Sequence, residues 1–400
     1  MKILMVNKFL YPNGGSETYI FKLGEYLIQQ GHEVQYFGME HKGRCVGNAI
    51  NAYTSDMDFH NTFKLKKLIY SIKTIYSIEA RKKIRLVLDD FKPDIVHLNN
   101  FNYQLTPSII LEIKKWSKDT NKRCKIIYTA HDYQLICPNH MLYNPNKKNI
   151  CEKCIGGHFI NCIKGKCIHG SLAKSVVGAV EAYFWNLNNV YKYIDKVICI
   201  SKFMKQKLDT NPILKKRTIV IYNFTDFERN ILGKKGNYIL YFGRFANEKG
   251  IKTLIEVCRM LPNINFVFAG SGPLKNLLEN IKNINNVGFK SGEDLKKLIQ
   301  EARFTIVPSE WYEPFGLTIV ESLKMGTPVV GSDVGAIPEI IENNKTGMLF
   351  KCGDVEDLKN KIKRLWNNEK MLYFYSKNSM KNNFNTIESY YSALIKIYKK

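Results

Sequence analysis

The 400-residue chain is short of acid: 36 Asp and Glu stand against 60 Lys and Arg, a formal net charge of +24. That deficit excludes an acidic solvating chain and implies attraction to something anionic, such as nucleic acid, a membrane surface or a phosphorylated ligand. The excess is shared equally between residues 1–200 and 201–400, so no basic tail carries it. Long apolar runs are also missing. No segment approaches 18 uninterrupted apolar residues, which excludes a spanning helix and leaves, at most, a chain resting on a membrane. The apolar start of Met1–Lys8 is broken by Asn7 and Lys8, too soon for a signal peptide, so a cytoplasmic protein is expected. With 12 Pro the chain is no proline-rich linker, and 45% hydrophobic residues are ample for a packed core. In a reducing compartment its 10 Cys are expected to be thiols or metal ligands rather than disulfides.

Short apolar runs recur with helical patterns between them. Lys2–Asn7, Glu33–Met39, Asp94–Asn99, Lys125–His131, Lys196–Ser201 and Thr218–Phe224 have nearly continuous aliphatic and β-branched content, as parallel strands do when helices cover both faces. After a polar stretch the alternation restarts with Tyr238–Arg244, Asn265–Gly270, Phe304–Ser309, Pro328–Asp333 and Gly347–Lys351. The pattern predicts an α/β chain of two doubly wound, Rossmann-like domains: residues 1–223, a linker over 224–237, and residues 238–385. A helix over 386–400, with Tyr390, Leu394 and Ile397 on one face, is expected to pack back, with the first domain as one destination. Open sheets bind ligands outside the carboxyl ends of their strands, so an interdomain cleft is the expected site.

Four segments put reactive residue types at such strand ends. After the strand Phe304–Ser309 comes a loop with Glu313-Pro-Phe-Gly316, then an apolar-periodic helix. Its free N–H groups and positive dipole end suit a phosphate. Glu313 can accept hydrogen bonds from ligand hydroxyls, and Glu321 lies about one and a half turns into the helix. Arg244 and Lys249 follow the strand Tyr238–Arg244. Two cations there can neutralise a departing diphosphate or form a plain surface charge pair. Gly270 and Gly272 in Ala269-Gly-Ser-Gly-Pro273, and Gly14 and Gly15 in Tyr11-Pro-Asn-Gly-Gly-Ser-Glu17, permit tight turns and close backbone approach. His131 closes the strand Lys125–His131, with Asp132 placed to orient it or to cap the next turn.

The Glu-x7-Glu spacing of Glu313 and Glu321 sits in Ser309-Glu-Trp-Tyr-Glu-Pro-Phe-Gly-Leu-Thr-Ile-Val-Glu-Ser322, followed by Gly326-Thr-Pro-Val-Val-Gly-Ser-Asp-Val-Gly-Ala-Ile-Pro-Glu339. This segment, with Gly243-Arg-Phe-Ala-Asn-Glu-Lys-Gly250, resembles glycosyltransferase family 4, the group 1 glycosyltransferases. These are retaining, nucleotide-sugar-dependent enzymes of the GT-B fold. The resemblance implies that Glu313 binds hydroxyls of the donor sugar, Glu321 the ribose, and Arg244 and Lys249 the diphosphate. It implies that His131 contacts the sugar near the reacting carbon. It makes Gly14, Gly15, Gly270, Gly272, Pro314, Phe315, Gly316, Leu317 and Thr318 donor-binding. It further implies a UDP- or GDP-type donor, a glycan or lipid-linked acceptor in cell-surface polysaccharide synthesis, and no catalytic metal. A same-fold epimerase or hydrolase is the alternative. A basic, zinc-containing nucleic-acid binder is the second, and no nucleic acid is expected given the four charged residues present together.

Two features stand outside the resemblance. Cys137, Cys151, Cys154, Cys162 and Cys167 cluster within 31 residues. Cys151, Cys154, Cys162 and Cys167, with Cys137 as an alternative ligand, fit a structural zinc site, while unliganded thiols and an iron–sulfur or redox pair stay open. Residues 63–85 carry eight basic residues against one acid among aromatic and aliphatic ones. That is the make-up of a helix lying on an anionic bilayer at the inner face of the cell membrane, or of a core helix with a basic outer face.

Overall fold

The structure is a computed structural model describing residues 1–56, 73–227, 233 and 235–399. The chain divides into two compact units. The first comprises residues 1–146, 151–222 and 387–400, the second residues 147–150 and 223–386.

The first unit alternates β1 (Lys2–Val6), α1 (Gly15–Gln29), β2 (Glu33–Phe37), α2 (Ile78–Phe91), β3 (Ile95–Leu98), α3 (Ser108–Asp119) and β4 (Lys125–Ala130). The cysteine-rich insert follows, with two-residue strands β5 (Tyr143–Asn144) and β6 (Asn149–Ile150, which groups with the second unit) and a short helix, α4 (Ile160–Lys164). Then come α5 (Leu172–Leu187), β7 (Lys196–Cys199), α6 (Lys202–Leu208), α7 (Pro212–Lys215) and β8 (Thr218–Val220). The main sheet is parallel, in the order β2-β1-β3-β4-β7-β8. Its central strands are buried along their length, which is why their sequences run apolar without alternating. Helices start where the chain supplies a cap: the Ser77, Ser171 and Ser201 side chains accept from the N–H groups of Ala80, Lys174 and Met204. Each cap contributes about 1 kcal/mol.

The second unit repeats the scheme with β9 (Ile239–Phe242), α8 (Ile251–Met260), β10 (Phe266–Ala269), β11 (Ile284–Gly288), α9 (Gly292–Glu301), β12 (Phe304–Val307), α10 (Leu317–Lys324), β13 (Val329–Ser332), α11 (Ile337–Ile340), β14 (Gly347–Phe350), α12 (Val355–Trp366) and α13 (Glu369–Ser379). Its sheet is parallel in the order β11-β10-β9-β12-β13-β14. Phe245, Leu254, Phe268, Phe304 and Leu358 are among its fully buried core.

The last helix, α14 (Ile387–Lys399), belongs to the first unit. It buries Tyr390, Leu394, Ile397 and Tyr398. The Tyr390 hydroxyl lies 2.6 Å from that of Tyr19, and the Tyr398 hydroxyl 2.6 Å from His97 Nδ1. His97 Nε2 in turn meets Thr129 Oγ1 at 2.7 Å. A buried polar relay therefore joins α14 to α1, β3 and β4.

Candidate active site

In the second unit β10 and β11 lie on one side of β9, and β12, β13 and β14 on the other. The loops leaving β9 and β12 therefore diverge, opening a crevice at the carboxyl ends of these neighbours. Those two loops carry Arg244 and Lys249 on one side and Glu313 on the other.

Lys249 ends a 3₁₀ turn over Asn247–Lys249. Its Nζ lies 2.8 Å from Glu313 Oε2 and 5.0 Å from the centre of the Trp311 ring. The same oxygen accepts from Ser309 Oγ at 3.0 Å and Trp311 Nε1 at 3.1 Å. Burial pushes the Glu313 carboxyl up, but the Lys249 charge and these hydrogen bonds outweigh it and hold the group below the usual carboxylate range. Glu313 is thus a fixed carboxylate whose Oε2 is engaged by protein. The resemblance assigned Lys249 to a diphosphate and Glu313 to a sugar; the structure brings the two side chains together as an ion pair. Arg244, exposed by 61%, pairs with Glu248.

Pro314, Phe315 and Gly316 are buried, so they shape the loop from within, while Leu317 and Thr318 are half-buried at the start of α10. Gly316 adopts φ 104° as the N-cap, and no side chain caps the helix. N–H groups at such an end favour an anion. Glu321 is half-buried within α10.

Two glycine sites fix these loops. Gly335, at φ 62°, follows β13; a Cβ there would come 2.5 Å from the Glu313 nitrogen and 2.7 Å from its oxygen. The Ala336 N–H donates to the Glu313 carbonyl at 2.9 Å, clamping that loop. Gly270 and Gly272 serve the neighbouring loop. Cβ atoms there would meet the Gly243 oxygen at 2.0 Å and the Phe245 oxygen at 2.5 Å, and Phe245 N–H donates to Ser271 O at 2.8 Å. Their close approach is to the backbone around Arg244. Gly14 and Gly15 differ from expectation. Gly14 is extended (φ −176°), neither adopts positive φ, and a Cβ on Gly14 would make only an ordinary 3.5 Å contact with Glu17. No tight turn requires them; they are exposed.

The first unit has its own switch point between β1 and β3. Beyond β1, Asn7 Nδ2 donates to the buried Glu17 at 3.0 Å, and Lys8 Nζ to the Asn102 carbonyl at 3.1 Å. Burial pushes the Lys8 ammonium below its ordinary value despite the opposing charges of Asp132 and Glu17. His131 Nε2 lies 3.0 Å from Asn99 Oδ1, and its ring meets Tyr19 edge-on at 4.9 Å. Burial lowers its pKa to about 3, so the imidazole is neutral. Asn99, not Asp132, orients it. Asp132 accepts from the Gln134 N–H at 2.8 Å and so caps the turn, with its carboxyl pushed up to about 6 by burial. Sequence reasoning missed Lys8, Glu17, Asn99 and Gly335 as site residues; Glu17 and Gly335 lay inside segments already singled out.

Cys137, Cys151, Cys154, Cys162 and Cys167 line one cavity of about 10 Å³. All are free thiols. Among the described residues no group of three or more His, Cys, Asp or Glu is disposed around one ion position, so the expected zinc set of Cys151, Cys154, Cys162 and Cys167 is not assembled as such. Of the other cysteines, Cys124, Cys199 and Cys258 are buried, Cys352 is half-buried, and Cys45 is exposed. In the basic segment residues 63–72 lie outside the described residues. Within the described part Arg81 pairs with Glu112 and Arg85 with Asp89 and Asp119, so both guanidiniums are engaged. No helix among the described residues is long and apolar enough to cross a membrane.

Residues 13–229 match the family described as Glycosyltransferase Family 4, and residues 223–382 match Glycosyl transferases group 1. Sucrose-phosphate synthase from Thermosynechococcus elongatus superposes with a TM-score of 0.70 at 18% identity, covering 100% of this chain and 98% of its own. An Anabaena protein crystallised with UDP-glucose gives 0.67 at 17%, covering 100% and 99%. The O-antigen chain mannosyltransferase C of Escherichia coli is 23% identical over 95% of this chain and 92% of its own length. Two parallel Rossmann-like sheets, with their polar side chains gathered at strand ends, define a glycosyltransferase of the GT-B fold. The chain belongs to Glycosyltransferase Family 4, among the group 1 glycosyltransferases.

Proposed function

We propose that this enzyme transfers a sugar, with retention of configuration, from a UDP- or GDP-type nucleotide sugar to a glycan or lipid-linked acceptor in polysaccharide assembly. The observation that carries the reading is the Lys249–Glu313 pair at the β9/β12 switch point, beside the uncapped end of α10. A carboxylate and a cation fixed side by side suit a ligand that presents hydroxyls next to a diphosphate. The Anabaena relative with bound UDP-glucose supports the donor class, and the mannosyltransferase supports the glycan pathway.

In this reading the bond from the anomeric carbon to the β-phosphate oxygen breaks first. The acceptor hydroxyl then bonds to that carbon on the face the phosphate leaves, and its proton passes to the departing phosphate oxygen. Arg244 and Lys249 stabilise the developing diphosphate charge, the work a metal ion would otherwise do. Glu313 holds sugar hydroxyls, Glu321 the ribose, and neutral His131 donates to or accepts from the sugar. Peripheral contact with an anionic membrane through residues 63–85 would bring lipid-linked acceptors to the enzyme.

The test is calorimetric titration of UDP, GDP and ADP into the wild type and Arg244→Ala in the presence of a chelator. The expected result is selective binding of one nucleotide, weakened by the substitution. No binding of any of the three would overturn the reading, and release of free sugar at the full rate without acceptor would favour a hydrolase.

A further inference from the structure

Two histidines lie at the middle of the first unit's sheet, and their hydrogen bonds differ. His97, on β3, has both ring nitrogens engaged, Nδ1 with Tyr398 and Nε2 with Thr129. His131, just past β4, has one engaged: Nε2 lies 3.0 Å from Asn99 Oδ1, and among the described residues no group hydrogen-bonds to Nδ1. His97 is fully buried, whereas His131 is half-buried at the carboxyl edge of the sheet, where open α/β sheets bind ligands. The two nitrogens of one ring are distinct groups, and the bond made by the first decides what the second can do.

The direction of the Asn99 bond follows from the surroundings of its amide. Asn99 is fully buried, and its Nδ2 faces two backbone carbonyls, that of His97 at 3.3 Å and that of Val6 at 3.4 Å. Carbonyl oxygens only accept, so the amide nitrogen belongs on their side and the amide oxygen on the side of His131. Turning the amide over would set its oxygen against both carbonyls. An oxygen 3.0 Å from Nε2 needs a hydrogen between them, and the ring must supply it. The backbone holds Asn99 in turn: its N–H donates to the Val6 carbonyl at 2.9 Å, and its carbonyl accepts from Gln134 Nε2 at 3.5 Å. Tyr19 braces the ring edge-on at 4.9 Å, its own hydroxyl bonded to Thr129 and Tyr390. Burial keeps the imidazole neutral, so it carries one proton and not two.

We infer that Asn99 is a positioning residue that fixes His131 in the Nε2–H tautomer, leaving Nδ1 as a bare lone pair that can only accept a hydrogen bond. The consequence for recognition rests on the proposed donor site, with His131 against the sugar, and gives that contact a direction: the sugar supplies the hydrogen and the ring receives it. The group recognised there is a hydroxyl. A carboxylate or keto oxygen in its place brings lone pairs to a lone pair and is refused. The tautomer belongs to the free protein and is measurable without substrate.

The experiment is a two-bond proton–nitrogen correlation spectrum of the full chain carrying nitrogen-labelled histidine, at neutral pH, with the His131 signals assigned by their loss in His131→Gln. The expected pattern is a neutral ring with its proton wholly on Nε2. A proton on Nδ1, or a mixture of the two tautomers, in the wild type would overturn the assignment whatever the substrate proves to be. Asn99→Leu removes the acceptor at similar volume and should turn the pure pattern into a mixture. An unchanged pattern there would overturn the role of Asn99, and the wild-type spectrum decides the tautomer even where that variant does not fold. UDP-glucose and GDP-mannose are then added, each beside its bare nucleotide. The sugar nucleotide that binds should shift Nδ1 more than Nε2, and its nucleotide alone should leave both in place. A bound sugar nucleotide that leaves Nδ1 unmoved would overturn the acceptor role. Binding of neither would count against the donor reading and leave the tautomer assigned.

Discussion

Replacing Gly335 with Ala tests the clamp on the Glu313 loop. Two costs arise. A side chain at φ 62° pays the left-handed penalty of about 1–2 kcal/mol. The added Cβ would also sit 2.5 and 2.7 Å from Glu313 backbone atoms, where neither partner is a flexible side-chain end, and overpacking of that kind costs about 1–3 kcal/mol. Gly353 in the same unit supplies the control. It has φ 73°, yet nothing lies within 4 Å of its Cβ position. Gly353→Ala should therefore lose only the backbone term, and Gly335→Ala about 2–5 kcal/mol in all. Urea unfolding monitored by tryptophan fluorescence gives the difference, and Trp311 reports on the loop itself. Transfer activity should fall in Gly335→Ala and stay near wild type in Gly353→Ala, because only the former displaces Glu313. Equal destabilisation by the two substitutions would refute the close-approach argument, and full activity in Gly335→Ala would refute the clamp.

Other expectations follow from the same geometry. Glu313→Gln should keep nucleotide affinity within a few-fold while lowering turnover, read as kcat against KM; a selective rise in KM alone would contradict its place on the sugar. Lys249→Ala strands a carboxylate with three donors reduced to two, and should destabilise the second unit by about 1.5–3 kcal/mol in addition to weakening nucleotide binding. His97, fully buried, has a pKa lowered by burial to about 3 against 6.5 unfolded. As pH falls below 6.5 the unfolded chain gains a proton that the folded chain refuses, so stability drops by about 1.4 kcal/mol per pH unit for this one imidazole until pH 3. Burial raises Asp132 to about 6 and Glu181 to about 8, and these oppose the trend above about pH 4.5 because the folded chain keeps their protons. The loss should steepen below that pH, and His97→Asn should show a shallower acid limb in urea midpoints; an unchanged limb would exclude His97 as a contributor. Liposome sedimentation with and without anionic lipid tests residues 63–85, with equal binding to neutral vesicles counting against electrostatic contact.

The apolar strands were legible because burial on both faces leaves a continuous signature, as in Ile3–Val6 and Phe304–Val307. Their expected ends ran too far. Asn7, Asn99, His131 and Ser309 follow the ladders and turn into loops. The edge strand β11 escaped because Ile284-Asn-Asn-Val-Gly288 has one neighbour and needs no apolar run. Contacts made by folding could not be read from spacing. Lys249 and Glu313 are 64 residues apart, and Asn99 reaches His131 across adjacent strands. The Cys-x2-Cys pair drew attention to Cys151, whereas burial separates it from the other four cysteines.

The assignment of α14 to the first unit bears on how the chain is made. The second unit is nearly contiguous in sequence, so almost all of it has been synthesised before Tyr390 and Tyr398 emerge. The first unit begins first and finishes last: until α14 docks, Tyr19 and His97 keep Thr129 but lack the Tyr390 and Tyr398 hydroxyls, and the helices around them lack a cover. During synthesis an incomplete first unit must wait through about 160 residues while its neighbour matures, exposing sticky surface to chaperones and proteases. A nascent chain halted near residue 386 should accordingly protect the second unit from protease before the first.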